Sequence, residues 1–444
     1  MAVISSAQIA AARDGALLVN PRDFKQKEQP AKKAATPAPA PKARKAVSKP
    51  PTPRKTIRRT QRRVQARSVP RETAPSGQPP ADEARFINDQ VIVRYRLSAA
   101  QSSMDALVRR LNLRHLDGAT FRLAGITVHL YEIADGSSVR QVIAALENDA
   151  TVVYAQPNYI YELQQDSASG GPQYALARMA VGAAHKLTRG ADVPVAVIDS
   201  AVDSSHPEFN GTAIETADVT GKRPAPHQHG STIAALIASK GTLVGIAPDV
   251  RLLGITAFDV DSAGNATSSS WAIASAIDMA EEWGARIVNM SFAGPKDPLI
   301  ERSSNGMARR KMIAVAAAGN AGPKAAPLYP AAYDTVVAVT ATDRSDAVFD
   351  MANQGAYVAL AAPGVDILGI APGGRYAVSS GTSLAAAHIS GLAALILGRA
   401  NGIDADDLLE ALISTSRDLG DPGVDPVFGA GLPDARTAIV QVGS

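Results

Sequence analysis

Short apolar runs recur through the second half of this chain and constrain its fold more than any other feature. Residues 194–198 are apolar and rich in β-branched side chains, and similar, largely apolar runs occupy 287–290, 312–315 and 336–339. A run that is apolar at successive positions suits a parallel strand buried on both faces. These runs alternate with stretches of helical length, which predicts an α/β fold with a parallel sheet covered by helices on both faces.

Three polar side chains stand at the ends of these predicted elements. Asp199 follows the first apolar strand, at the carboxyl edge where open α/β sheets bind ligands. His229 precedes the apolar stretch 230–238 and Ser383 precedes the apolar stretch 384–397, so both are expected in the first turn of a helix. A helix amino end favours negative charge developing at Ser383. The set offers an acid, a base and a nucleophile.

The order Asp, His, Ser is the order of subtilisin-like triads, and the serine does not lie in the Gly-x-Ser-x-Gly elbow of α/β-hydrolases. On this order and on short motifs, residues 172–444 resemble the catalytic domain of the subtilase family of serine proteases. The motifs that carry the resemblance are 199–201 (Asp-Ser-Ala), 229–231 (His-Gly-Ser), 289–294, 316–320 and 381–385 (Gly-Thr-Ser-Leu-Ala).

The resemblance implies a serine endopeptidase that works through an acyl-enzyme intermediate. Ser383 would be the nucleophile, His229 its general base, and Asp199 the group that orients the imidazole. The Asn320 side chain and the Ser383 backbone N–H would form the oxyanion hole. Polypeptides are the expected substrates, and no metal or other cofactor is expected.

A specificity pocket is also implied by resemblance alone. Its walls would be Ser291, Phe292, Ala293, Gly294, Ala317, Ala318 and Gly319. These residues are small or apolar, and no Asp or Glu among them could select a basic side chain. The expected preference is for apolar side chains or is broadly tolerant.

His227 competes with His229 for the role of base, because the two residues are only two positions apart. The Gly-Ser sequence that follows His229 matches the family motif and favours His229. His206 and His388 are predicted to be structural.

Three positions depart from the family pattern. Ala201 replaces a glycine, Thr232 a second histidine, and Ala387 a proline. These departures keep open the hypothesis of a catalytically impaired binding scaffold. A peptide ligase or cyclase also stays open, because it would use the same triad.

The first part of the chain differs in composition from the rest. Residues 1–80 contain 18 Lys and Arg against 4 Asp and Glu, although the whole chain carries a net charge of only +3. Residues 25–83 are dominated by Ala, Pro, Lys and Arg, which predicts a disordered segment that cannot bury enough apolar surface to fold. This basic arm is compatible with an anionic partner, but the scarcity of aromatic residues favours a solvated linker.

Residues 85–163 read as a small α+β unit, with strands at 91–95 and 126–131 and helices at 102–113 and 139–146. Its ending, 155–161, resembles the propeptide that precedes many subtilases. The resemblance implies an intramolecular inhibitor that assists folding and is removed by autoprocessing of a zymogen. The hydrophilic stretch 164–171 is the predicted region of cleavage.

These observations predict four segments, namely an N-terminal segment of unknown structure (1–24), the basic linker (25–83), the propeptide-like domain (84–165) and the catalytic domain (166–444). The chain has no cysteine, which excludes disulfides and thiolate metal sites. Residues 239–243 lack carboxylates, so no calcium is expected in the loop that binds it in some relatives. No transmembrane segment or signal peptide is evident, which suggests a cytoplasmic protein unless it is exported by another route.

Overall fold

A parallel sheet and an antiparallel sheet organise the chain in a computed structural model that describes residues 76–163, 166–167, 173–262 and 264–443. The described residues all belong to one compact unit. The N-terminal segment, most of the predicted basic linker and most of the predicted cleavage stretch 164–171 lie outside the described residues.

The bounds of the elements are as follows. The strands are β1 (Phe86–Tyr95), β2 (Leu113–Phe121), β3 (Ile126–Ile133), β4 (Val152–Leu163), β5 (Asp166–Ser167), β6 (Pro194–Asp199), β7 (Ala213–Asp218), β8 (Arg251–Thr256), β9 (Asp259–Val260), β10 (Ala266–Ser269), β11 (Ile287–Met290), β12 (Phe292–Ala293), β13 (Ile313–Ala317), β14 (Val336–Thr342), β15 (Val358–Pro363), β16 (Ile367–Ala371), β17 (Arg375–Ser380), β18 (Ser416–Arg417) and β19 (Leu432–Pro433). The α-helices are α1 (Gln101–Arg110), α2 (Val139–Glu147), α3 (Tyr174–Arg178), α4 (Val181–Ala184), α5 (Gln228–Ala238), α6 (Ser270–Trp283), α7 (Pro298–Arg309), α8 (Thr382–Arg399), α9 (Ala405–Ser414) and α10 (Ala435–Val442).

The parallel sheet is the one predicted from the apolar runs. Its strands follow the order β15-β14-β13-β11-β6-β8-β7, and every neighbouring pair is parallel. Helix α8 packs against α5 and on β11, β13, β14 and β15, while α6 and α7 pack together and cover β6, β8 and β13. The predicted α/β class is confirmed.

Among the described residues, helix α8 is long and apolar enough to span a membrane, but 89% of it is buried inside the protein. Ser383 therefore stands at the start of a core helix, as the apolar stretch 384–397 predicts.

The antiparallel sheet begins with β2-β3-β1-β4, and α1 and α2 pack with it around a core that includes Val91, Leu107 and Ile143. The predicted helix 102–113 ends early, at Arg110. Asn112 adopts a left-handed conformation (φ 48°), which stops the helix, and the chain then enters β2. Most residues of β2 are exposed or half-buried, so the strand carries little apolar pattern in the sequence.

Residues 76–83 fall inside the predicted linker, yet they lie along α2. The Glu147 carboxylate accepts bonds of 2.6 Å from both the Ser76 hydroxyl and the Gly77 N–H. The Arg140 guanidinium donates to the carbonyls of Pro79 and Glu83. These charge-assisted bonds hold residues 76–83 in place, although these residues belong to no strand or helix.

Two contacts join the α+β unit to the catalytic half. In the first, the turn between β2 and β3 lies against α6 and α7. Asp278 accepts the backbone N–H groups of Arg122 and Leu123 at 2.5 and 3.2 Å, and Arg309 donates to the Leu123 carbonyl. The Leu123 backbone lies directly on Gly306, where a Cβ atom would come within 2.1 Å of the Leu123 carbonyl oxygen.

The second contact is strand β4, which continues out of the α+β unit and pairs with β10 and β12. Leu163 lies opposite Phe292 and Glu162 lies opposite Ala293. Two residues further on, β5 pairs with β17, with Asp166 opposite Ser380. The chain therefore runs across the carboxyl edge of the parallel sheet as an added strand.

Candidate active site

A buried Asp-His pair forms at the carboxyl edge of the parallel sheet. Asp199 is the last residue of β6, and His229 is the second residue of α5. His229 Nδ1 donates to Asp199 Oδ1 at 2.7 Å, and the two side chains are only 2% and 1% exposed. This bond leaves Nε2 as the nitrogen that can accept a proton, and Nε2 has no hydrogen-bond partner among the described residues.

His227 is used differently, because it caps the same helix. Its Nδ1 accepts the backbone N–H of His229 at 3.3 Å and lies 3.2 Å from the Ser200 hydroxyl. Burial, and then the neighbouring His229, lowers the pKa of His227. Of the two histidines, only His229 hydrogen-bonds to Asp199.

Ser383 is buried in the first turn of α8, where backbone N–H groups lack an acceptor within the helix. Its hydroxyl donates to the Ser291 carbonyl at 2.9 Å rather than to His229. Ser291 in turn donates its own hydroxyl to the Ser383 carbonyl at 3.0 Å. The structure thus brings the predicted acid and base into contact and leaves the serine hydroxyl turned towards the neighbouring strand.

Asn320 is oriented by Thr382, the residue before the serine. Asn320 Oδ1 accepts the Thr382 backbone N–H at 3.1 Å and its hydroxyl at 2.8 Å. The Thr382 hydroxyl also accepts the Gly319 N–H at 3.1 Å. Because the amide oxygen faces Thr382, the amide nitrogen points the other way. Both residues hold the segment after β13 against the start of α8.

The predicted pocket residues lie on two neighbouring segments. Ala317, Ala318 and Gly319 are buried at the end of β13, and Ser291 to Gly294 follow β11. The latter segment contains strand β12, with which β4 pairs, so β4 lies alongside it.

The sequence interpretation did not single out Ser200 and Thr382. The Ser200 hydroxyl and N–H both donate to Asp199 Oδ1, and the hydroxyl accepts the Gly230 N–H. Both residues lie inside the motifs 199–201 and 381–385, next to Asp199 and Ser383, and this position is the signal that could have identified them.

The three departures from the family pattern keep well-formed contacts. The Ala201 carbonyl accepts the His227 N–H at 2.8 Å, and the Thr232 hydroxyl donates to the Ile370 carbonyl at 2.7 Å. Ala387 lies inside α8, which is continuous there because alanine, unlike proline, keeps its N–H.

The two histidines predicted to be structural bond to backbone carbonyls. His206 Nε2 lies 3.0 Å from the Arg375 carbonyl oxygen, and His388 Nδ1 lies 2.7 Å from that of Pro363. Within the described part of the chain, no group of three His, Asp or Glu side chains is placed to hold a metal ion.

Comparison with known families gives two matches. The profile of the subtilase family (Peptidase_S8) matches residues 190–431. The profile of the fervidolysin N-terminal prodomain matches residues 72–158.

Individual proteins agree with these profiles. A thermophilic serine proteinase of Bacillus sp. (strain AK1) is 33% identical over 293 residues, 63% of this chain and 72% of the relative. Subtilisin DY of Bacillus licheniformis is 34% identical over 260 residues, 56% of this chain and 92% of the relative. The crystal structure of fervidolysin from Fervidobacterium pennivorans, described as a keratinolytic enzyme related to subtilisin, superposes with a TM-score of 0.71 and 23% identity. That superposition covers 82% of this chain and 62% of fervidolysin, and it shows similarity of fold.

Proposed function

The chain belongs to the subtilase family and is a subtilisin-like serine protease with an N-terminal prodomain, and from this premise we propose how its residues act. Asp199, His229 and Ser383 form the catalytic triad of an endopeptidase that is made as an autoprocessed zymogen. The observation that carries the triad assignment is the 2.7 Å bond between His229 Nδ1 and Asp199, which leaves Nε2 able to act as a base.

In the proposed reaction, Ser383 Oγ attacks the scissile carbonyl carbon while His229 Nε2 takes the hydroxyl proton. Rotation of the Ser383 side chain away from the Ser291 carbonyl precedes this step. Asp199 stabilises the imidazolium, which then gives its proton to the leaving amine as the C–N bond breaks. A water molecule then attacks the carbonyl carbon of the acyl-enzyme while His229 takes its proton. The bond between this carbon and Ser383 Oγ breaks, His229 returns the proton to Oγ, and the acid product leaves.

Negative charge on the carbonyl oxygen is met by donors that are fixed before the reaction begins. The Asn320 amide nitrogen is directed away from Thr382 by the two bonds at its oxygen. The Ser383 N–H at the start of α8 is the second donor, and the helix amino end adds favourable potential.

The prodomain supports the zymogen proposal, because its last strand lies between β10 and β12, in the groove here called the cleft. β4 pairs with β12, which directly follows Ser291, the residue bonded to Ser383. β5 pairs with β17, which ends three residues before Ser383. The two residues between the paired segments, Gln164 and Gln165, are not among the described residues. Since the pairings on both sides bracket this interval, the proposed maturation cleavage is the Gln164–Gln165 bond.

The first test labels the purified full chain with a fluorophosphonate, which reacts with an activated serine. Wild type and His227→Ala should label, and Ser383→Ala and His229→Ala should not. Equal labelling of His229→Ala would contradict the assignment of the base. Absence of labelling and of casein hydrolysis in folded wild type would favour the scaffold hypothesis. Ligated products formed with an added amine nucleophile would favour the peptide ligase or cyclase.

The second test follows maturation by N-terminal sequencing. Wild type should yield a form that begins at Gln165, whereas Ser383→Ala should stay full length. An intact wild-type chain in a preparation that hydrolyses casein would refute obligatory maturation. A mature form that begins at any residue other than Gln165 would refute the position of the cleavage.

A further inference from the structure

The side chain of Tyr161, in the part of β4 that lies in the cleft, fills a closed pocket of the catalytic half. The residue is fully buried, and its ring meets Phe292 edge to face with centroids 5.8 Å apart. Phe258 lies behind Phe292 at 5.2 Å. Gly294 also lies against the ring, because a Cβ atom there would come within 2.4 Å of it. The walls are therefore shaped for an aromatic ring.

The far end of this pocket holds a carboxylate. Asp297 is fully buried, and its Oδ2 accepts the Tyr161 hydroxyl at 3.2 Å and the Ser270 hydroxyl at 2.5 Å. Its Oδ1 accepts the backbone N–H groups of Leu299 and Ile300 at the start of α7. Asp297 therefore caps α7 with one oxygen and faces the Tyr161 hydroxyl with the other.

The prodomain contributes only some of the donors around Asp297. Tyr161 and Gln156, which donates to Oδ1 at 2.9 Å, belong to β4 and would leave with the prodomain. Ser270 and the α7 amides belong to the catalytic half and would stay. The backbone of Asp297 is also held in place, because the Tyr333 hydroxyl bonds to both its N–H and its carbonyl.

We propose that Asp297 makes this pocket select tyrosine in the mature enzyme, by accepting the phenolic hydroxyl of the substrate side chain that binds there. The pocket binds the fourth substrate residue on the amino side of the cleaved bond. Tyr161 has this position in the prodomain if the bond after Gln164 is the one cleaved. This inference rests on the proposed proteolytic function and adds a specificity-determining residue to it.

Tyrosine suits the pocket better than other large side chains. Phenylalanine fits between Phe292 and Gly294 but leaves a buried acceptor without one of its donors, which is costly in a site closed to water. Arginine or lysine would bring a charge to Asp297, but its polar end would be buried beside Phe292 and Gly294, which offer no side-chain acceptor. A hydrogen bond to a charged acceptor corresponds to a preference for tyrosine over phenylalanine of about 10- to 100-fold in kcat/KM.

A kinetic test uses the autoprocessed wild-type enzyme and fluorogenic peptides that copy residues 158–168, with Tyr, Phe or Arg at the position of Tyr161. We expect kcat/KM to be about 10- to 100-fold higher for the tyrosine peptide than for the phenylalanine peptide. In Asp297→Ser this ratio should fall to about threefold or less, because serine still caps α7 but does not reach the phenol. The matched control is Asp434→Ser, which alters the cap of α10 and should leave the ratio unchanged.

A second test needs no catalysis and uses the full chain with Ser383→Ala. Amide hydrogen exchange of residues 160–163 is measured in Tyr161→Phe, in Asp297→Ser and in the double variant. Each single change should speed exchange about 10- to 100-fold, and the double variant should exchange no faster than the more affected single variant.

These outcomes separate the two proposals. Equal kcat/KM for the Tyr and Phe peptides, a faster Arg peptide, or additive effects in the exchange cycle would overturn the tyrosine subsite. Failure to hydrolyse any of the peptides would count against the proposed function, while the exchange cycle would still decide the role of Asp297. The wild-type peptide ratio needs no variant, so misfolding of Asp297→Ser would not leave the question open.

Discussion

Acidification should destabilise this protein through His388, a histidine inside α8, the helix that carries Ser383 in its first turn. His388 is 2% exposed, and its Nδ1 donates to the Pro363 carbonyl at 2.7 Å. Burial lowers the pKa of His388 from 6.5 to about 4. The unfolded chain therefore takes up a proton on His388 more readily than the folded one. His388 costs no stability above pH 6.5, and the free energy of unfolding falls as the pH drops from 6.5 towards 4.

The size of the effect follows from linkage at 1.36 kcal/mol per pH unit. Over the interval from 6.5 to about 4, His388 should cost the native state about 3 kcal/mol, and about 2 kcal/mol of this loss falls between pH 7 and pH 5. Since α8 carries Ser383, loss of this helix in acid would remove the proposed nucleophile from the site.

The assay is urea unfolding of the full chain between pH 7 and pH 5, in the Ser383→Ala background so that the sample does not digest itself. His388→Asn is the matched variant, because its amide nitrogen can replace Nδ1 as the donor to Pro363 but does not titrate. The parent should lose about 2 kcal/mol more than His388→Asn over this range, since other titrating groups are common to both. Parallel pH profiles, or an NMR titration that puts the pKa of His388 near 6.5, would refute the reasoning.

Three further outcomes test the oxyanion hole, the prodomain contact and the calcium interpretation. Asn320→Ala should lower kcat by about 10²–10³, the loss seen for the corresponding donor in subtilisin itself, and a loss confined to KM would argue against the role. Gly306→Ala should loosen the Leu123 turn, because overpacking costs about 1–3 kcal/mol. Trypsin should then cut after Arg122 about tenfold faster in the Ser383→Ala background, with Gly182→Ala, whose Cβ would meet nothing, as the unaffected control. The melting temperature should differ little between millimolar calcium and excess chelator, since a ligand stabilises only what binds it, and a large rise that is lost on replacing residues 239–243 would show the prediction to be wrong.

Much of the catalytic half could be predicted from the sequence because its signals are local. A strand such as β6 is buried on both faces, so every residue along it is apolar until Asp199. The triad motifs are short segments at the ends of such strands or at the starts of helices. Their order along the chain and their resemblance to the subtilase family predicted Asp199, His229 and Ser383 as acid, base and nucleophile without any knowledge of distances.

Local patterns were weaker where elements are half-exposed or where the chain changes direction. Strand β2 buries few of its side chains, so nothing in its sequence distinguished it from the end of the preceding helix. The helix stops because Asn112 takes a left-handed conformation, which asparagine permits but does not require. Residues 76–83 gain their order from Glu147 and Arg140, which are more than 50 positions away.

The tertiary structure alone decided the contacts between distant parts of the chain. Asn320 and Thr382 are 62 positions apart, and Tyr161 and Asp297 are 136 positions apart. In the sequence, Asp297 before a proline reads as an ordinary helix cap, and it is one. That its second oxygen meets a tyrosine depends on β4 pairing with β12, a register set by backbone bonds and the shape of the cleft. Residue type fixes what a side chain can bond to, whereas only the assembled fold fixes which partner comes within reach.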